Sequence, residues 1–187
     1  MKQELKHHLL PLTVIFIVTS LVWILNHVPY YQFIYLFFGL AWGSFALDLD
    51  HLIYWLYLKP AMPESCQARQ HLQQKNIGSL LKLLEKTHKN HTSLIFHHYF
   101  FQITLALVSL FIITSSDSIF ASSLVLALNL HLLVDEFHDY RHQPRHLQIW
   151  LFARESKQLP LKYLRHYLAV FTLFSLFFLI ILITSAL

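Results

Sequence analysis

The chain alternates long uncharged stretches with short, strongly charged ones. Residues 7–47, 90–116, 118–134 and 166–187 contain no Asp, Glu, Lys or Arg. A helix that crosses the hydrocarbon core of a bilayer needs roughly 20 apolar residues. The first stretch has room for two such helices and each of the others for one. The pattern predicts an all-α, polytopic membrane helix bundle of about five transmembrane helices, near 9–25, 30–47, 94–114, 118–134 and 167–186. Asn26 to Pro29 reads as the turn between the first two, and the second continues with helical character through Leu58. Lys2 and Lys6 ahead of the first stretch resemble the start of a signal peptide. No small-residue cleavage site follows at 26–31, so the sequence predicts an anchor that stays in place. The whole chain, 1–187, reads as one membrane domain.

Composition agrees with this pattern. Only 13% of residues are charged and 56% are hydrophobic, where a soluble domain carries about 25% charged residues. Mean hydropathy is +0.48. A single cysteine, Cys66, excludes an internal disulfide framework. The sequence has no Gly-rich phosphate loop. Its net charge of +4 would suit nucleic acid, but in a membrane protein basic residues report orientation, and no nucleic-acid partner is expected. All 14 Lys and Arg residues fall in the N-terminal tail, the 59–93 loop and the 135–166 loop. With five spans these segments share one side. The positive-inside rule then puts the N-terminus in the cytoplasm and the C-terminus outside, and the expected location is the inner (plasma) membrane. Within the loops, Ile77, Leu80, Leu81 and Leu84 recur at helical spacing among lysines. They predict an amphipathic helix that either lies on the inner leaflet or packs on the bundle end. Trp150, Leu151 and Phe152 pose the same choice.

Fourteen histidines are present, and their placement says more than their number. Ionisable residues at membrane depth are costly and face the protein interior or a wet cavity. Asp48, Asp50 and His51 close the second expected span. His88 and His91 precede the third, and His97 and His98 are expected in its first turns. His131, Asp135 and His138 end the fourth. Three clusters distant in sequence are thereby expected at one depth. His131 and Asp135 are i, i+4 on a helix, and Asp48 and His51 are i, i+3, so each pair shares a face. A regular helix would turn Asp50 away from Asp48, unless the helix breaks after Gly43 and Ser44. Neutral imidazoles with carboxylates suit a divalent metal, zinc or manganese above all. A lone histidine near an interface is more often a hydrogen-bonding group, and these clusters read also as helix-end polar networks.

Asp-Leu-Asp-His at 48–51, His-Lys-Asn-His-Thr-Ser at 88–93 and His-Leu-Leu-Val-Asp at 131–135 resemble three motifs of the membrane-bound metal-dependent hydrolase-like (YdjM-like) proteins. The likeness covers about residues 30 to 140. It implies that Asp48, Asp50, His51, His91, His131 and Asp135 bind metal or position the groups that do, with His88 as the first histidine of the middle motif. Leu47 stands where the family usually has proline, and His-Thr-Ser replaces Thr-His-Ser, which makes His97 a substitute ligand. The expected function is metal-dependent hydrolysis of a phosphoester or lipid-linked substrate at the cytoplasmic leaflet. Asp50 or Glu136 would serve as general base, and nearby Lys and Arg would receive an anionic lipid head group. Two other readings stand beside it: a membrane haem protein with His98 and His131 as axial ligands, and a non-catalytic ion carrier or scaffold.

Overall fold

The computed structural model describes residues 2–185, with side chains from Leu9 onward. Among these residues every regular element is helical. Helix α1 (Lys2–Leu25) turns at Asn26–Pro29 into α2 (Tyr30–Ala46), and α3 (Leu49–Ile53) continues it through a π-helical turn at Tyr54–Leu58. Two short helices follow, α4 (Pro63–Gln73) and α5 (Ile77–Thr87). After an irregular segment come α6 (Tyr99–Ser115), α7 (Ile119–His142), α8 (Pro144–Leu151) and α9 (Leu161–Thr184). Three of these are long and apolar enough to cross a membrane: the Tyr30–Leu58 unit, α7 and α9. Leu9–Leu25 and Tyr99–Ser115 are apolar but shorter. Ala186, the expected end of the last span, lies outside the described residues.

Helix α7 is the centre of the bundle, and α2 lies closest against it. Side chains at two positions on α2 would forbid that approach. A Cβ on Gly39 would sit 1.9 Å from Ser123 Oγ, and one on Gly43 would sit 2.5 Å from Ala127 Cβ and 2.7 Å from the Leu124 carbonyl oxygen. Glycine inside a helix costs about 0.5–1 kcal/mol relative to alanine. Here the cost is offset by backbone contact between small residues, the usual way in which apolar helices associate tightly. Helices α6 and α9 pack on the other faces of α7. Polar ties stitch the bundle: Asn129 Nδ2 of α7 donates to Ser109 Oγ of α6 at 2.7 Å, and Trp23 Nε1 of α1 donates to the Ile183 carbonyl of α9 at 2.9 Å.

The structure differs from the sequence expectation at two places that matter for the site and decides an open choice at a third. Residues 94–98 are not helical; α6 starts at Tyr99, capped by His98, whose Nδ1 accepts from the Phe100 amide. His97 and His98 therefore precede the helix instead of lying in its first turns. The chain also breaks between α2 and α3. Tight turns run from Phe45 to Asp48 and from Leu47 to Asp50, so the helical path tightens there and the angle between Asp48 and Asp50 departs from that of a regular α-helix. Finally, Trp150, Leu151 and Phe152 are buried with Leu147 and Leu164. They close the end of the bundle and are not a surface-seeking segment. The expected helix near 77–84 forms as α5; its Leu80 packs on Tyr54, Trp55, Ala68 and Leu94, while Ile77 and Leu81 stay exposed.

Candidate metal centre

The α2–α3 break, the irregular segment and the last turns of α7 meet at one point. His97, His131 and Asp135 form a group with the composition and spacing to hold a metal ion. Asp135 Oδ2 lies 3.6 Å from His97 Nε2 and 3.4 Å from His131 Nε2. Asp48 Oδ1 lies 3.7 Å from the same His131 nitrogen. Ligand atoms about 2.0–2.1 Å from a tetrahedral zinc ion are separated by about 3.3 Å. The two Asp135–histidine separations are within a few tenths of an ångström of that edge, and the ligand atoms of His97, His131 and Asp135 all lie within 4.8 Å of one another, so this group could hold such an ion.

The other nitrogen of each imidazole is committed. His131 Nδ1 donates to the Ser44 carbonyl at 2.8 Å, and His97 Nδ1 faces Asp50 Oδ2 at 3.3 Å. A proton held at Nδ1 makes Nε2 the nitrogen that can take a metal in exchange for its own proton, and this is how proteins usually orient metal-binding histidines. Asp50 is itself held in place. Its carboxylate accepts the Ile95 amide at 3.1 Å and the Phe96 amide at 2.5 Å. These bonds satisfy the backbone of a segment that has no helix to satisfy it. Burial disfavours charge on His97, but Asp135 and Asp50 on its two nitrogens override that and lift its pKa to about 9.

The remaining expected residues fall into two sets. His51 and His91 form a second buried pair, with Nδ1 atoms 2.8 Å apart. Burial, and the neighbouring His88, hold the His91 pKa down to about 4. His88 turns its Nδ1 to the Leu84 and Glu85 carbonyls and presents its ring edge-on to His51, with centroids 6.3 Å apart. Glu136 follows Asp135 on α7 and is coupled electrostatically to Asp135 and His97. It is fully buried beside Gln102 and Tyr167, and the Tyr167 hydroxyl donates to Gln102 Oε1. Asp50 is equally buried, whereas the side chains of Asp48 and Asp135 are 42% and 30% exposed. Those two carboxylates form the open side of the centre.

Several contributors were not evident in the sequence. Glu64, in the first turn of α4, places Oε1 3.3 Å from His91 Nε2. An acidic residue after Pro63 signals only a helix start, so nothing local marks it as part of the site. Asp139 accepts from His146 Nδ1 at 2.6 Å and from Trp150 Nε1 at 2.9 Å, and His146 Nε2 reaches the Lys89 carbonyl at 2.8 Å. This clamp joins α7, α8 and the end of the α5 segment beneath the centre.

Among the described residues the chain is helical, with three membrane-length helices and a partly buried His/Asp group that could hold a metal ion. No family model matches the sequence, and no curated protein or solved structure matches it either.

Proposed function

We propose that this protein is a metal-dependent hydrolase of the plasma membrane, acting on a phosphoester of a lipid or lipid-linked substrate. The observation that carries the reading is the pair of oriented imidazoles. His97 and His131 each spend Nδ1 on a fixed acceptor and turn Nε2 toward one carboxylate, Asp135. Two imidazoles with oriented Nδ1 atoms that turn Nε2 toward one shared carboxylate form, once Nε2 is deprotonated, a donor set for a divalent ion. The resemblance of the three motifs to the YdjM-like proteins supports the same class.

In this reading His97, His131 and Asp135 hold the ion and leave its fourth position to water at the open side, beside Asp48. A bound zinc or manganese ion would polarise a phosphoryl oxygen and lower the pKa of water. Asp50 positions His97 and supports the backbone of residues 95 and 96. Asp48, the most exposed of the carboxylates, is the one placed to accept a proton from an attacking water. Phe45 and Leu49 flank Asp48 on the exposed face of α2 and α3, which suits entry of a substrate with an acyl or prenyl tail. Five spans with a cytoplasmic N-terminus place all Lys and Arg on the side of the centre, where they would attract anionic head groups.

Elemental analysis of the detergent-purified protein, wild type beside His131→Ala, tests the site. The expected result is near-stoichiometric zinc or manganese that disappears in the variant, together with turnover of a phosphoester substrate in mixed micelles. Retention of metal and turnover by His131→Ala would sink the assignment.

A further inference from the structure

Three helices meet in a polar junction next to the centre. Gln102 on α6, Glu136 on α7 and Tyr167 on α9 lie against one another. Gln102 is 1% exposed, and a buried amide is costly unless its polar ends are paired. Both ends are. The Tyr167 hydroxyl donates to Gln102 Oε1, and Gln102 Nε2 donates to the His97 carbonyl at 3.1 Å. The two ends of a glutamine amide have nearly the same shape and opposite polarity. The Tyr167 proton selects Oε1 and so turns the donor, Nε2, toward His97. The tyrosine is itself held. Its ring stacks on Phe171 with centroids 6.3 Å apart, and Phe171 is buried with Leu47, Leu105, Leu132 and Leu133. Leu47 precedes Asp48 and Leu132 follows His131, so one apolar cluster underlies the junction and the centre alike.

We propose that Gln102 and Tyr167 are positioning residues of the metal centre: Gln102 fixes the backbone of His97, and Tyr167 acts through Gln102. This rests on the reading of His97 as a metal ligand. It extends the site to α9, which lies beyond the residues 30–140 covered by the motif resemblance. Asp50 and Asp135 set the His97 imidazole, but a ring is placed no better than the backbone that carries it. On one side of His97 the Ile95 and Phe96 amides are tied to Asp50. On the other, His97 precedes α6, and Gln102 gives its carbonyl a donor where the helix has not begun. Releasing that carbonyl lets the peptide after His97 rotate and carries Nε2 out of register with His131 and Asp135. Metal sites tolerate deviations of only about 0.2 Å, so a hydroxyl on α9 is expected to be felt at the ion.

The test is cobalt(II) titration of the full-length protein in detergent micelles. Visible absorption bands report the coordination geometry, and competition with a chromophoric chelator gives the affinity. Gln102→Met and Tyr167→Phe each remove hydrogen bonds and keep the bulk of the side chain. Each should lose about tenfold or more in affinity, as for other orienting partners, and shift the bands. The double variant should lose no more than Gln102→Met alone, to within about twofold, because coupled residues are not additive. A contribution to bundle stability alone would leave the bands of the folded protein unmoved. Tyr163→Phe, at an exposed tyrosine of the same helix, should match the wild type. Tyr167→Phe decides the matter if Gln102→Met loses helicity. Wild-type affinity and bands in both single variants overturn the positioning role and leave the centre standing. Losses that multiply in the double variant overturn the action of Tyr167 through Gln102. No cobalt in the wild type overturns the metal reading and this one with it.

Discussion

A methyl group added to Gly43 tests whether close packing of α2 on α7 builds the centre. An alanine Cβ there would sit 2.5 Å from Ala127 Cβ and 2.7 Å from the Leu124 carbonyl oxygen. Carbon atoms rest about 3.5–4.0 Å apart, so the helices must separate by about 1 Å at this level. The next residue, Ser44, supplies the carbonyl that receives His131 Nδ1 at 2.8 Å. A shift of that size breaks the bond and draws Asp48 away from His131. Metal sites tolerate deviations of only about 0.2 Å, and losing an orienting partner typically costs 10–100-fold in affinity. The fold should survive. Overpacking costs about 1–3 kcal/mol, partly offset by the 0.5–1 kcal/mol that alanine gains over glycine in a helix. Gly43→Ala should therefore lose about 10–100-fold in zinc affinity, measured by competition with a chromophoric chelator, while far-ultraviolet circular dichroism stays unchanged. Adding Ala127→Gly removes one of the two clashes and should restore part of the affinity. Gly78→Ala, where the nearest atom to a new Cβ is Asn76 Oδ1 at 3.8 Å, should bind zinc like the wild type. Equal affinity in Gly43→Ala and wild type, at equal helicity, would refute the link between helix packing and the centre.

Other consequences follow from individual contacts. His97, with its pKa lifted to about 9, must release its proton before a metal can occupy Nε2; zinc affinity should rise about tenfold per pH unit from 7 toward 9 and then level, and a flat profile over that range would contradict the assignment. Asp50→Asn keeps an acceptor for one amide but removes the charge facing His97. It should lower zinc affinity about 10–100-fold with little change in helicity, and a variant that binds like wild type would remove Asp50 from the site. The Asp139 hydrogen bond, outweighing burial, raises the pKa of His146, so the charged form is favoured by folding. Its contribution is complete below the unfolded-state value of about 6.5 and is lost as pH rises through the raised folded value. His146→Gln should thus lower Tm more at pH 5.5 than at pH 9, and an equal loss at both would show that the clamp acts by packing alone.

The amount of this arrangement legible in the sequence depended on how local each contact is. Helix-forming apolar stretches were readable because their signal repeats every turn, and His131 with Asp135 was readable because one regular helix sets both side chains. Asp48 and Asp50 show where such reasoning stops. Periodicity places them on opposite faces, and they reach the same histidine pair only because the chain breaks between Ala46 and Leu49. That break is stabilised from a distance of about 45 residues in sequence, by Ile95 and Phe96 amides that close on the Asp50 carboxylate. The irregular 94–98 segment is tied to the same place. Its amides at 95 and 96 close on Asp50 where no helix turn precedes them. Helix α6 accordingly starts only where His98 can cap it. The two irregular segments thus hold each other in shape, and His97 gains its position from both. A site built this way is invisible to any window that reads one element at a time. It also means that Asp50, although shielded from solvent and outside the convergent donor set, is the residue whose loss would disturb the backbone and the imidazole together.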